Sequence, residues 1–161
     1  VDQGHDGSGI YKGGKYQIYE GGTRVPFIIR WPKEIKPAVS DALVNQIDFI
    51  SSFASYFKKE LPEGAAADSR NMLDTFLGKS DKGLPFMVEE IHSQRAFREG
   101  AWKYIAANNR KKGNPSKPLL FNLAKDPSEK TNIINQYPEI AERLNAQLQG
   151  IIKSKGVKYV N

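Results

Sequence analysis

The sequence predicts an α/β segment followed by a small α+β layer, and three observations support that fold class. Residues 24–31 form a mostly apolar run between turn residues, which is typical of a strand buried on both faces of a covered sheet. Residues 86–106 contain three strand candidates, and Glu99-Gly100 between the last two predicts a tight hairpin turn. Apolar residues recur at helical spacing after Pro138, which predicts a long closing helix that packs on the sheet.

The remaining elements follow from the same periodicities and from turn residues. In order, we expect a loop over 1–23, the buried strand over 24–31, an amphipathic helix over 42–57, a short helix at about 70–77 ended by Gly78, strands over 86–91, 94–98, 102–106 and 119–123, a turn at 126–129 and a helix from Tyr137 onward. The polar, turn-rich segment 79–85 separates two predicted domains, residues 1–78 and residues 79–161.

Composition narrows the function classes. The 161 residues suffice for one ordinary domain or two small ones, and the absence of cysteine excludes disulfides and thiolate chemistry. No apolar run is long enough to cross a bilayer, so we expect no membrane span. The net charge of +6 is spread along the chain, and its densest cluster, Arg110-Lys111-Lys112, has no interleaved aromatic residues. We therefore expect no nucleic-acid binding.

Lys15 lies in a loop that is a candidate for oxyanion binding. Glycines let the backbone approach a ligand closely, and the lysine ammonium supplies positive charge. The alternative is a surface loop with solvated lysines, which composition alone favours. Gly9, Gly14 and Lys15 also match the spacing of a phosphate-binding P-loop. That motif needs a hydroxyl where Tyr16 stands, a preceding strand and a following helix, so we reject the match.

The chain contains two histidines. His92 stands beside two glutamates next to a predicted strand, which is more typical of a surface residue than of a catalytic triad. His5 is surrounded by Asp2, Gln3 and Asp6, whose oxygen atoms suit a hard cation such as calcium. A solvated polar terminus is the alternative interpretation.

Five segments in the expected order resemble the arylsulfatase family. The first has the pattern G-K-x-x-x-Y-E-G-G-x-R-V-P, then an apolar run ending in R-W-P. The matching stretches are Lys15–Pro32, Leu43–Phe49, Leu61-Pro62 with Asp68, Phe97–Ile105, and Leu120–Leu123 with Asp126–Glu129 and Asn132. Ser69 departs from the pattern, which has glycine after the aspartate.

The resemblance implies the alkaline-phosphatase-like fold of sulfatases, of which this chain would supply the C-terminal portion. Residues 1–78 would end the large α/β domain, with the metal and sulfate loop, the buried strand and a helix. Residues 79–161 would form the C-terminal subdomain, a small antiparallel sheet packed by a long C-terminal helix.

The resemblance also implies site residues. Lys15 matches the lysine that contacts the substrate sulfate, so it would be both catalytic and substrate-binding. Asp2 and Gln3 match a calcium-ligating pair, and His5 would lie near the substrate as a second catalytic candidate. The motif residues expected to hold the loop and strand, without a chemical role, are Tyr19, Glu20, Gly21, Gly22 and Arg24.

One element of the family is missing from the sequence. Sulfatases use a formylglycine made within a C/S-x-P-x-R motif; the nearest segment, Ser116-Lys117-Pro118, fails because Leu120 stands in place of the arginine. We therefore expect a calcium- and formylglycine-dependent sulfatase portion that is inactive without its N-terminal portion. Its substrate would be a sulfated small molecule or glycan, and its location periplasmic, extracellular or lysosomal.

We also expect the isolated chain to bind a partner chain carrying the N-terminal portion, or to self-associate, through the apolar surface that this portion would cover. Two alternatives remain open. One is a fragment of a phosphatase or phosphodiesterase of the same superfamily, and the other is a non-catalytic module that binds polyanions or carbohydrates.

Overall fold

A computed structural model describes residue 4, residues 7–108 and residues 117–154 of the chain. The chain divides into two compact units, which are described separately. The sheet unit comprises Val1–Pro26 and Phe86–Leu148, and the helical unit comprises Phe27–Pro85 and Gln149–Asn161. This grouping follows contacts within the chain, and the family-based division at residue 78 stays a prediction.

The sheet unit contains four antiparallel strands that are neighbours in chain order. They are β1 (Met87–Ile91), β2 (Gln94–Glu99), β3 (Trp102–Ile105) and β4 (Leu119–Asn122). Glu99 pairs with Trp102, so Gly100 and Ala101 form a two-residue hairpin loop. Gly100 has φ +55°, the sign that the favoured two-residue hairpin turns need. The predicted hairpin and all four predicted strands are confirmed.

The core of the sheet unit combines strand residues with one residue from the N-terminal loop. Ile18, Ala96, Ile105 and Phe121 form a buried cluster. Because Ile18 is fully buried against the strands, it fixes the C-terminal end of the loop that carries Lys15. Burying such a side chain contributes roughly 1.5–3 kcal/mol.

The closing helix α4 (Pro138–Ser154) begins at the predicted proline, where a missing N–H costs no helical hydrogen bond. Its residues Ala141, Leu144 and Leu148 are buried. Beside it, the Tyr137 ring lies 5.2 Å from that of Trp102 in β3, and Arg143 donates two hydrogen bonds to Glu99 in β2, at 3.0 and 2.5 Å. The predicted packing of the helix on the sheet is confirmed.

The helical unit has a 3₁₀ turn (Gln46–Asp48), α2 (Phe49–Tyr56) and α3 (Leu73–Phe76). The helix predicted over 42–57 is shorter, since α2 begins only at Phe49. Asn45 caps the preceding 3₁₀ turn by accepting a hydrogen bond from the Ile47 N–H at 3.2 Å. Asp48 is buried and accepts a hydrogen bond from the Arg70 N–H at 2.8 Å, which ties α2 to the segment before α3. Gly78, with φ +67°, follows α3 as predicted.

The strand predicted over residues 24–31 is absent from the structure, and the prediction of burial there is wrong for this chain. The segment has no strand assignment, residues 24–30 are exposed, and Ile28 is 88% exposed. A buried strand needs hydrogen-bonding neighbours on both edges and layers on both faces. None of the described strands pairs with this segment. Its aromatic residues make ring contacts instead: Phe27 lies 5.6 Å from the rings of Phe49 and Phe76, while Ile28 stays at the surface.

Candidate functional site

Lys15 stands at the tip of a tight turn. The Gln17 N–H donates a hydrogen bond to the Gly14 carbonyl at 3.0 Å, and the Gln17 Oε1 accepts one from the Gly14 N–H at 3.2 Å. Tyr16 adopts φ +70°, as the third residue of a type II turn must. The Lys15 side chain is exposed, with Nζ 4.9 Å from the centroid of the Tyr16 ring.

The short helix α1 (Glu20–Thr23) packs directly on this turn through two glycines. A Cβ on Gly21 would lie 2.5 Å from the Gly13 carbonyl oxygen. A Cβ on Gly22 would lie 2.5 Å from the Gly14 carbonyl oxygen and would also collide with that of Gln17. The two glycines therefore let the turn that carries Lys15 rest on the backbone of α1.

Lys12, the other lysine of the loop, holds the loop to neighbouring segments. Its Nζ donates a hydrogen bond to the Glu129 carbonyl at 3.1 Å and lies 4.2 Å from the centroid of the Tyr19 ring. Its own carbonyl accepts a hydrogen bond from the Gly21 N–H at 2.8 Å. Lys12 thus ties the loop both to α1 and to the turn that follows β4.

Beneath α1 lies a buried ionic cluster, formed by Glu20, Glu89, Lys103 and Glu129. Lys103 in β3 and Glu129 are each 0% exposed, and Glu20 is 1% exposed. The Lys103 Nζ lies 2.8 Å from Glu20 Oε1, 2.9 Å from Glu89 Oε2 and 3.6 Å from Glu129 Oε1. One buried ammonium therefore serves three carboxylates.

Glu129 also contacts the backbone of α1. Its N–H donates a hydrogen bond to the Asp126 carbonyl at 3.1 Å, which closes the Asp126–Glu129 turn, and its Oε2 accepts one from the Glu20 N–H at 2.7 Å. Two partly exposed guanidinium groups complete the surroundings of Glu20, with Arg98 at 3.4 Å and Arg24 at 3.8 Å from its Oε2. Three motifs that are distant in sequence, Y-E-G-G-x-R, W-K-Y-I and D-P-S-E, thus meet at this cluster.

The cluster contains three carboxyl groups and one ammonium group. Burial raises the pKa of Glu89 and that of Glu129, against the opposing effect of Lys103. Burial alone would lower the pKa of Lys103, but the charges of Glu89, Glu20 and Glu129 together outweigh it and raise that pKa. The ammonium therefore stays charged, while the carboxylates compete for it.

These shifts predict a pH dependence of stability. For Glu129 the folded chain holds a proton that the unfolded chain has released, at pH values between the ordinary 4.5 and the raised pKa. The free energy of unfolding should therefore fall as pH rises through that window. Urea unfolding at a series of pH values would measure this fall, and we expect Glu129→Gln to make it shallower.

Glu99 provides the control for that experiment. Hydrogen bonds from Arg143 lower its pKa, so its contribution to stability is present above 4.5 and is lost as pH falls through the lowered pKa. Glu99→Gln should change the pH dependence only below about 4.5. A Glu129→Gln variant with the wild-type slope above that value would contradict the prediction.

Of the four predicted site residues, the structure describes Lys15 alone. Its sulfate-binding role stays a prediction. Asp2, Gln3 and His5 lie outside the described residues, as does the basic cluster Arg110-Lys111-Lys112. Among the residues that the structure describes, no group of three or more His, Cys, Asp or Glu side chains is arranged to hold a metal ion.

His92 is exposed in the loop between β1 and β2, with φ +54°. Its ring centroid lies 6.0 Å from that of Tyr16, beside the Lys15 turn.

None of the described helices is long and apolar enough to cross a bilayer.

The roles of Lys103, Glu89 and Glu129 were not predicted from the sequence. One signal was available: Lys103 is a lone cation inside the short strand W-K-Y-I, where a buried lysine requires carboxylate partners. The identity of those partners depends on tertiary structure, because Glu20 and Glu129 are distant from Lys103 in sequence.

Comparisons with known proteins agree with these motifs. The profile of a family described as "N-sulphoglucosamine sulphohydrolase, C-terminal" matches residues 9–154. An N-acetylgalactosamine-6-O-sulfatase of Bacteroides thetaiotaomicron is 41% identical over 158 residues, covering 92% of this chain and 31% of that protein. Arylsulfatase K of Rattus norvegicus is 29% identical, covering 86% of this chain and 26% of that protein.

A solved structure, from work on the metabolism of multiple glycosaminoglycans by Bacteroides thetaiotaomicron, superimposes with a TM-score of 0.83 at 42% identity. It covers 92% of this chain, which covers 33% of that structure. This chain therefore spans about a third or less of the length of these relatives. The four-stranded antiparallel sheet with its C-terminal helix matches the sulfatase C-terminal subdomain, and the chain belongs to the sulfatase family as a C-terminal portion of the N-sulphoglucosamine sulphohydrolase type.

Proposed function

We propose that this chain is the C-terminal part of an enzyme that hydrolyses sulfate esters, and that Lys15 contacts the sulfate group. The observation that carries the proposal is the construction of the loop. Lys15 extends from a turn whose backbone is packed on two glycines and tied to a buried ionic cluster. A solvated surface lysine would need no such support.

The proposed role of Lys15 is electrostatic. Attack on the sulfur of a sulfate ester builds negative charge on the equatorial oxygens, and a fixed ammonium stabilises that charge in the transition state. Lys12 has no part in this role, because its ammonium is engaged by the Glu129 carbonyl and the Tyr19 ring.

Asp2 and Gln3 would hold calcium in this proposal. A carboxylate and an amide carbonyl oxygen are the donor types that calcium prefers, and these two residues would supply part of its six to eight ligands. When bound, the ion would supply positive charge at the site. His5 would lie at the same site. The formylglycine nucleophile would come from an N-terminal portion, since the present sequence contains no C/S-x-P-x-R motif.

We propose a sulfated amino sugar of a glycan as the substrate. The support is the relative named as an N-acetylgalactosamine-6-O-sulfatase, with 41% identity across 92% of this chain. Sulfated glycans of this kind are met outside the cytosol, which favours a periplasmic, extracellular or lysosomal location.

We further propose that the N-terminal portion covers the apolar segment over 27–29. Phe27, Ile28 and Ile29 are 44%, 88% and 36% exposed, so three consecutive apolar residues reach the surface, where a partner can cover them. In the complete protein residues 1–78 would end the large domain. Without the N-terminal portion, the chain should lack activity and self-associate.

The test of this function is Lys15→Ala in the complete protein that carries these residues. We expect the rate of sulfate release from an aryl sulfate to fall by about 10²–10³ in kcat, as when one transition-state donor is removed. The matched control is Lys33→Ala, which removes another exposed lysine from a segment outside the loop. Unchanged sulfate release by Lys15→Ala would refute the proposed role.

A further inference from the structure

We propose that Lys103 is a positioning residue for Lys15, acting through Glu20 and the two glycines that follow it in α1. This inference rests on the proposed function of the Lys15 loop. It assigns Lys103 a role in the reaction although its side chain, at 0% exposure, can contact no substrate.

Glu20 is anchored at two of its groups. Its Oε1 accepts a hydrogen bond from the Lys103 Nζ at 2.8 Å, and its N–H donates one to Glu129 at 2.7 Å. Both the side chain and the backbone of the first residue of α1 are thus fixed in direction, from β3 and from the turn after β4.

Close backbone contacts connect α1 to the turn that carries Lys15. Gly21 and Gly22 lie so close to the carbonyl oxygens of Gly13, Gly14 and Gln17 that no Cβ fits between them. The Gly21 N–H also donates a hydrogen bond to the Lys12 carbonyl at 2.8 Å. A shift of α1 must therefore move the turn at whose tip Lys15 stands.

A charged cluster orients its members more strictly than an apolar cluster would. A buried ion pair contributes little net stability compared with an apolar pair of the same volume. Its hydrogen bonds do fix distance and direction, which apolar contacts leave looser. A cluster that stabilises weakly but orients strictly suits a loop whose lysine must meet a sulfate oxygen within a fraction of an ångström.

The experiment uses the complete protein with Glu20→Gln, Lys15→Ala and the double variant. Gln keeps the volume of Glu20 but removes the negative charge that attracts the Lys103 Nζ at 2.8 Å. The link from Lys103 to α1 is therefore weakened, while the fold, which Lys103→Met would destabilise, should survive. We expect Glu20→Gln to lower kcat for an aryl sulfate by up to about 100-fold, with little change in KM. In the Lys15→Ala background the same substitution should have almost no further effect.

Amide hydrogen exchange gives a readout that is independent of activity. In Glu20→Gln the amides of Gln17 and Gly21 should exchange faster, while the strand amides of β2 and β3 keep their wild-type rates. The control is Glu90→Gln, which removes an exposed partner of Arg95 in β2 without touching the loop. It should alter neither kcat nor exchange in the loop.

The outcomes separate the two proposals. Full activity of Lys15→Ala would overturn the proposed function itself, and the positioning role with it. A normal loss in Lys15→Ala, combined with a Glu20→Gln effect that multiplies with it, would overturn the positioning role alone. Loop and strand amides that accelerate equally in Glu20→Gln would also overturn that role, since the cluster would then be a general stabiliser.

Discussion

Lys103→Met should lower the free energy of unfolding of the sheet unit by about 3–5 kcal/mol at neutral pH, the cost of leaving buried carboxylates without their counter-ion. The reason is that three buried carboxylates share this one ammonium. Methionine matches the length of the lysine stem, so the packing in β3 changes little. What changes is that Glu20, Glu89 and Glu129 lose the ammonium that lies within 3.6 Å of each.

The loss should shrink as pH falls, because protonated glutamates no longer need the ammonium. Burial already raises the pKa of Glu89 and that of Glu129, so both take up protons at pH values above the ordinary 4.5. We therefore expect the difference between Lys103→Met and wild type to be largest at neutral pH and smaller near pH 5. A difference independent of pH would mean that packing, not charge, sets the cost.

Urea unfolding followed by tryptophan fluorescence measures this effect in the right unit. The chain has two tryptophans, and Trp102 lies in β3 next to Lys103, so a Trp31→Phe background reports the sheet unit. The control is Arg95→Met, which breaks the partly exposed Arg95–Glu90 pair of 2.9 Å and should cost about 0–1 kcal/mol. A Lys103→Met variant that lost no more than this control would contradict the prediction.

The parts of the fold that were predicted correctly are those that depend on neighbouring residues in the chain. The hairpin at Gly100 and the helix from Pro138 depend on residues close together in the chain, and both are present. The segment 24–31 failed for the opposite reason. Its apolar pattern is that of a central strand, but the partners of a central strand belong to other parts of a sheet, and the described residues include none for it.

The candidate site likewise has residues that the sequence predicts and residues that it does not. The motif around Lys15 and its glycines could be read directly, and Glu20 was assigned to holding the loop. Its buried partners could not be assigned, because Lys103 is 83 positions away and Glu129 is 109 positions away. Local patterns indicate that a lysine must be compensated, but only the folded arrangement of β3 and of the turn after β4 selects the carboxylates.

The second large effect is expected at Gly22, in the middle of α1. Helix propensity alone favours replacement, since alanine is better than glycine in a helix interior by about 1 kcal/mol. The close packing around Gly22 opposes the replacement. A Cβ at position 22 would lie 2.5 Å from the Gly14 carbonyl oxygen and would collide with the Gln17 carbonyl, and both neighbours are backbone that cannot rotate away. Either α1 or the Lys15 turn must move.

We therefore expect Gly22→Ala to cost about 1–3 kcal/mol of stability despite its better propensity, as overpacking does. Because relief of the collision displaces the turn, sulfate release by the complete protein should also fall, by up to about 100-fold. Gly14→Ala is the matched control: its added Cβ would meet the Ser8 hydroxyl at an ordinary 3.9 Å, so both properties should stay near wild type. If Gly22→Ala were as stable and as active as Gly14→Ala, the close packing of α1 on the turn could not be what holds Lys15 in place.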